Sequence, residues 1–405
     1  MEIINGGVLE AKCFKESGVH CGIRKNKDKK DIALIYSTVK CNAAATYTKN
    51  LVKGAPLVVT KNHLSNGIAQ AIICNSGNAN TCNVNGMDIA NETCKLLADQ
   101  LKISEDDIVI ASTGVIGQEM DIEPFKRGIP MLINELDKGT SEDANHAIMT
   151  TDTKEKTIAV KFMIDGVECH IGGIAKGSGM INPNMATMLV FVTTDCKISS
   201  KLLQEALSED ILDSFNMVSV DGDTSTNDMV SIMANGMAGN DEITSKSSVG
   251  YKAFKKALNY VCTDLARKMA KDGEGASKLL ECNVINAKTK KDAKIVAKSV
   301  ICSSLLKAAM FGSDANWGRV LCAIGYSKAN VDINKIDVSF ESKKGIIDVC
   351  KNGSGIPFSE EKAKEILLED DIFININLND GKKEAKAFGC DLTYEYVKIN
   401  GDYRS

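Results

Sequence analysis

Histidine is scarce in this chain: His20, His63, His146 and His170 are the four in 405 residues, and none sits in a recognisable nucleophile or metal pattern. A His-based triad has little to draw on, and each His reads as a surface or core residue. The serines lack a G-x-S-x-G setting, and Lys176-Gly-Ser-Gly runs in the wrong order for a Walker A loop. No C-x-x-C occurs among the 14 cysteines; the closest pairs, Cys13/Cys21 and Cys74/Cys82, stand eight apart, so no metal site is expected. Apolar runs fall short of the ~20 residues that span a membrane. The start, Met1-Glu-Ile-Ile-Asn, lacks the basic and apolar regions of a secretory signal. The expectation is a cytoplasmic protein with free thiols. Charge of one sign is missing too. The net charge is −4 and the lysine runs are interleaved with acids, which gives no basic surface for nucleic acid.

What is present is the profile of a soluble globular protein, with 44% hydrophobic and 25% charged residues. The length suits two or three domains or one large two-part unit. Short β-branched or alternating runs at Asp31–Ser37, Ala55–Thr60, Ile68–Cys74, Ile108–Ala111, Thr157–Ile164 and Met188–Thr193 predict strands. Helical periodicity marks Asn91–Leu101, Pro124–Leu136, Ser199–Ser214, Lys252–Ala270 and Lys291–Met310, and further strands follow at Leu279–Ile285, Ile336–Phe340, Ile347–Cys350 and Ile372–Leu378. Blocks of both kinds predict α/β or α+β layers. No repeat or low-complexity linker is evident, and a boundary is expected near residues 195–200.

One segment stands out chemically. From Lys176 to Asp195 small residues lead into Asn182-Pro-Asn184, then Ala186-Thr187, then directly into an apolar strand. A Thr so placed has its hydroxyl within reach of the preceding carbonyl. Attack there shifts the acyl group from nitrogen to oxygen, and hydrolysis frees an α-amine with a reference pKa of about 7.7–8.0. That amine can act as base for its own hydroxyl, which supplies acyl-transfer chemistry without His. On composition alone, a Thr opening a strand is an ordinary β-former.

The run Lys176-Gly-Ser-Gly-Met-Ile-Asn-Pro-Asn-Met-Ala-Thr-Met-Leu resembles the cleavage-site signature of the glutamate N-acetyltransferases of arginine biosynthesis, the ornithine acetyltransferase family. Five further motifs follow the family's order: Ala111-Ser-Thr-Gly-Val-Ile-Gly117, Ala147-Ile-Met-Thr-Thr-Asp-Thr153, Asp272-Gly-Glu-Gly-Ala276, Gly312-Ser-Asp-Ala-Asn-Trp-Gly-Arg319 and the terminal Tyr396-Val-Lys-Ile-Asn-Gly-Asp-Tyr-Arg-Ser405. The likeness runs from about residue 15 to the end. It implies a layered sheet-and-helix sandwich like that of the self-cleaving N-terminal-nucleophile-like aminopeptidases, with a smaller C-terminal α/β domain. It also implies a cut between Ala186 and Thr187, leaving a 186-residue α piece (1–186) and a 219-residue β piece (187–405, from 405 − 186).

By the same resemblance Thr187 is both nucleophile and binding residue, taking acetyl from N-acetylornithine and passing it to glutamate. Thr113 and Gly114 match the oxyanion donors; losing one such donor costs on the order of 10²–10³ in rate. Lys176 matches a binding position suited to a substrate carboxylate, and Glu274 one suited to an amino group. Thr153, Asn400 and Ser405 match the remaining binding positions, the last two on a tail that must be docked to act. No cofactor or metal is implied; some members also accept acetyl-CoA as donor, and an assembly of two α and two β pieces is implied. Three positions depart from the pattern: Ser405 for Thr, Ala315 for Pro and Gly401 for Ala. The group Asp314, Asn316 and Arg319 is either part of a site or a structural network around Trp317. Two competing readings stay open: an amidohydrolase or aminopeptidase of the related fold, where water takes the acyl group, and a scaffold without activity.

Overall fold

The β-branched runs assemble into two sheets, each covered by amphipathic helices, in a layered α/β sandwich. The computed structural model describes residues 1–140, 142–182 and 188–402. Among these, the first sheet has nine strands. Its central order is Lys156–Ile164, Val167–Lys176, Leu189–Thr194, Met229–Ala234, Ile32–Tyr47, Ile68–Asn75 and Ile108–Ser112. The second has seven and is drawn mostly from Leu279–Cys390. Among the described residues no helix is long and apolar enough to cross a membrane.

The register of the first sheet positions the site. Val167–Lys176 pairs antiparallel with Leu189–Thr194 from Ile171↔Thr194 to Lys176↔Leu189, so residues 177–188 connect a long hairpin. Leu189–Thr194 lies parallel to Met229–Ala234 on its other side. The expected cut therefore falls between neighbouring strands of one sheet, and the ladder does not depend on the connection.

The helix Val249–Lys271 follows from its sequence. Tyr251, Phe254, Leu258, Val261, Leu265 and Met269 recur three or four apart and are all buried. Ser248 caps the start by accepting the Tyr251 N–H at 3.1 Å. Lys268 and Lys271 sit in the last turn, where cations suit the helix dipole. The buried face packs on the first sheet through Val160, Ile171 and Val192, and reaches Leu279 and Phe388 of the second.

Several expectations are revised. Ala55–Thr60 is not a strand but the start of the helix Ala55–His63: Pro56 sits in the first turn, where its missing N–H costs nothing. Lys291–Met310 is two helices, Lys290–Cys302 and Ser304–Phe311, because Ser303 leaves helical geometry and caps the second by accepting the Leu306 N–H. The division near 195–200 is also displaced, since Met229–Ala234 returns to the first sheet and the chain stays with the second only after Leu279.

Leu265 is fully buried between the long helix and the sheet. Leu265→Ala is expected to cost about 2–5 kcal/mol, read as a lowered urea midpoint with an unchanged slope.

Candidate active site

The strand Ile108–Ser112 ends by handing its chain to a tight loop. Thr113 donates its N–H to the Asn75 carbonyl at 2.9 Å, Val115 donates to Gly77, and Ala79 donates back to Val115. The segment is pressed so closely on residues 77–79 that a Cβ on Gly114 would lie 2.4 Å from the Gly77 carbonyl carbon, and Gly114 has φ +132°. Only glycine fits both demands. With its N–H spent, Thr113 keeps its hydroxyl as donor. Lys176 Nζ donates into Thr113 Oγ1 at 3.3 Å, leaving the hydroxyl hydrogen for another acceptor. Among the described residues no group accepts the Gly114 N–H. The Thr113 hydroxyl and the Gly114 N–H thus stand on adjacent residues that line one cavity.

Lys176 closes the strand Val167–Lys176 and is almost fully buried. Asp152 lies behind it and accepts the Gly177 N–H at 2.6 Å and Lys156 Nζ at 2.7 Å. Burial opposes the charge on Asp152, but Lys176, Lys156 and these hydrogen bonds outweigh it and hold the carboxyl well below the usual range. Lys156, itself fully buried, also donates to Asp272 at 2.5 Å.

Glu274 faces Lys176 across the same cavity. Its Oε1 accepts from Thr151 Oγ1 at 2.7 Å and its Oε2 from Asn400 Nδ2 at 2.8 Å, while its N–H donates to the Ser178 carbonyl at 2.8 Å. A Cβ on Gly179 would lie 2.3 Å from this carboxylate, so a larger residue there would push the Glu274 side chain aside. The C-terminal helix Tyr394–Asp402 is docked by Thr393 Oγ1 donating to the Gly275 carbonyl at 2.6 Å and by an edge-on contact of the Tyr394 and Phe311 rings.

A cavity of about 140 Å³ thus brings together Thr113, Gly114, Lys176, Glu274 and Asn400. Thr153 stands elsewhere: its N–H and hydroxyl are both bonded to Asp272, behind the cavity wall, and Thr151 presents its hydroxyl instead. Ala186, Thr187 and Ser405 lie outside the described residues. The flanks of the first two are fixed. Asp221 accepts the N–H groups of Met180 and Ile181 at 2.6 and 2.9 Å, Thr224 Oγ1 donates to the Asn182 carbonyl, and Met229 N–H donates to Met188. Burial raises the Asp221 pKa against these hydrogen bonds.

Sequence reasoning missed Asn227. Its Nδ2 donates to the Ala79 and Ser112 carbonyls at 2.5 and 3.0 Å, and its Oδ1 accepts from Thr81 and Thr226. The polar run Asp221–Asp228 between two strands was the available signal. The group Asp314, Asn316 and Arg319 resolves as structural: Asn316 caps the helix Trp317–Gly325 and Arg319 donates to the Leu305 carbonyl. A larger cavity of about 830 Å³ lies by Lys290 and Lys294, both of which pair with Asp213.

A sequence model of the ArgJ family matches residues 15–405. The arginine biosynthesis bifunctional protein ArgJ 1 of Clostridium acetobutylicum is 50% identical over 99% of this chain and 98% of its own length. The arginine biosynthesis bifunctional protein ArgJ of Caldanaerobacter subterraneus is 48% identical over the whole of both. Among solved structures, a chain of the arginine biosynthesis bifunctional protein of Bacillus halodurans shares 47% identity at a TM-score of 0.51. It is matched over 100% of its own length by 54% of this chain.

Two outcomes are expected from this geometry. Thr113→Val keeps the loop's backbone bonds and lowers turnover on the order of 10²–10³-fold, measured by steady-state kinetics. For Asp152 the folded pKa lies below the unfolded value of about 3.9, so its stabilising effect is complete above that pH and is lost as the pH falls below it. Asp152→Asn gives a less stable protein whose urea midpoint is flatter below about pH 4 than that of wild type.

Proposed function

The chain belongs to the ArgJ family, and from that premise we propose that it is an acetyltransferase of arginine biosynthesis that moves acetyl from N-acetylornithine to glutamate through an acetyl-Thr187 intermediate. The observation that carries this reading is the single cavity holding two oxyanion donors at Thr113 and Gly114, a cation at Lys176 and a carboxylate at Glu274. A smaller cavity of about 30 Å³, which shares Thr113, Lys176 and Gly179 with it, is lined by Met188, the residue that follows the nucleophile.

The chain first acts on itself. The Thr187 hydroxyl attacks the Ala186 carbonyl carbon, the peptide becomes an ester, and water releases a Thr187 with a free α-amine. The Bacillus halodurans chain supports this step: 54% of the present chain covers all of it, and the 219 residues from Thr187 onward are the same share of 405.

In transfer, the α-amine takes the hydroxyl proton while Thr187 Oγ attacks the acetyl carbonyl of N-acetylornithine. Negative charge builds on the carbonyl oxygen, and the Thr113 hydroxyl and Gly114 N–H meet it. Collapse expels ornithine, whose amine carries the proton away. Glutamate then attacks the acetyl-threonine through its own amine, and the same donors serve the second oxyanion. Lys176 pairs with a substrate α-carboxylate, and Glu274, with lone pairs left beyond its bonds to Thr151 and Asn400, takes the cationic amine of ornithine.

The acyl-threonine is indifferent to its source, so acetyl-CoA serves as a second donor, in keeping with the bifunctional names of the relatives. The mature form is two α and two β pieces, working in the cytoplasm. The test compares wild type with Thr187→Ala on a denaturing gel and in the acetyl-transfer assay. The expected result is two pieces and activity for wild type, and one uncut, inactive chain for the variant. An uncut, active wild type overturns the mechanism. Release of acetate from N-acetylornithine at the same rate with and without glutamate makes the protein a hydrolase instead.

A further inference from the structure

The hairpin strands carry two buried cysteines whose positions become important once the chain is cut. Continuing the register past Ile171↔Thr194, through His170 opposite Asp195, sets Cys169 opposite Cys196. Asp195 donates its N–H to the His170 carbonyl and accepts the His170 N–H on its side-chain Oδ1, so the two segments still meet one residue short of the cysteines.

The side chains agree with the register. Asn240 ties the two segments together: its amide oxygen lies 3.7 Å from Cys169 Sγ and accepts the Lys197 N–H at 2.9 Å, one residue past Cys196. Cys169 and Cys196 are both fully buried in the core formed with Ile171, Val192 and Phe254.

We propose that Cys169 and Cys196 are an oxidation site, forming a reversible disulfide that joins the two pieces of the cut chain. The joining rests on the self-cleavage reading, since Cys169 precedes Ala186 and Cys196 follows Thr187. With hydrogen peroxide as oxidant, one sulfur attacks a peroxide oxygen, the O–O bond breaks, and a sulfenic acid and one water result. The second thiol attacks that sulfur, the S–S bond forms, the S–O bond breaks and a second water leaves. Two thiols lose two electrons and one peroxide is reduced.

The neighbouring Cys169, burial and the nearby Asp195 hold Cys196 protonated, above its ordinary range. Since the thiolate is the reactive form, this pair reacts more slowly than the exposed Cys13, Cys82, Cys302 and Cys322.

The test uses the purified, matured protein. Its exposed thiols are first capped with iodoacetamide under native conditions; hydrogen peroxide is added, and samples are denatured in fresh iodoacetamide over time. The expected result on a non-reducing gel is a slowly growing band that holds both pieces and separates on addition of dithiothreitol. Mass spectrometry of its digest yields a peptide pair containing Cys169 and Cys196, lighter by two hydrogens than the sum of the reduced peptides. Cys169→Ser is expected to give two pieces and no joined band. Recovery of Cys169 and Cys196 as alkylated or separately oxidised residues, never joined, overturns the proposal. A single uncut chain on the reducing gel defeats the cleavage reading instead, and the peptide pair still reports whether the bond forms.

Discussion

One buried ammonium sets the distance between the two walls of the cavity. Lys156 reaches Asp152, which holds the Gly177 backbone next to Lys176, and Asp272, two residues before Glu274. Withdrawing three charges from water costs several kcal/mol per ion unless their remaining donors and acceptors are met. Here they are: Asp272 also takes the N–H groups of Thr153 and Lys154, and Lys156 also donates to the Lys154 carbonyl. Losing one member would strand the others, at a cost of about 3–5 kcal/mol. The same charges that make the cluster expensive to assemble leave it a single good geometry, and Lys176 and Glu274 inherit it.

Every part of the site is shared across the expected cut. Asn227, after it, clamps the loop that carries Thr113 and Gly114, before it. Thr151, before it, orients Glu274, after it. Asp221 and Thr224, after it, fix the stem at Met180–Asn182. Breaking one peptide bond therefore removes a tether and leaves intact the contacts that define the cavity.

How much of this was legible in sequence depended on whether a signal was local. Helices with a clear apolar stripe, such as Val249–Lys271, were read well because periodicity and caps lie in the segment itself. The strand Val167–Lys176 went unread, as its Gly172 and Gly173 weaken the pattern; they are there because a Cβ on Gly172 would meet the Gly7 carbonyl at 1.9 Å, a contact between distant segments. The strand reading of Ala55–Thr60 followed β-branched residues and passed over the Pro that marks a helix start. Ordered motifs named Lys176, Glu274 and Asn400, which the fold gathers in one cavity. They gave no hint that Thr153 turns to Asp272 while Thr151 faces inward, a difference of two residues decided by tertiary contacts.

The hairpin that pairs Lys176 with Leu189 gives the molecule a history. Before the cut, its two strands find each other as ends of one loop, at the high effective concentration that a short tether provides. On the proposed cut the same ladder joins separate polypeptides, and a denatured sample must regain it by collision. Under that proposal the mature protein is held in a state it reached by a route no longer open to it, and its recovery from unfolding depends on dilution in a way that its first folding did not.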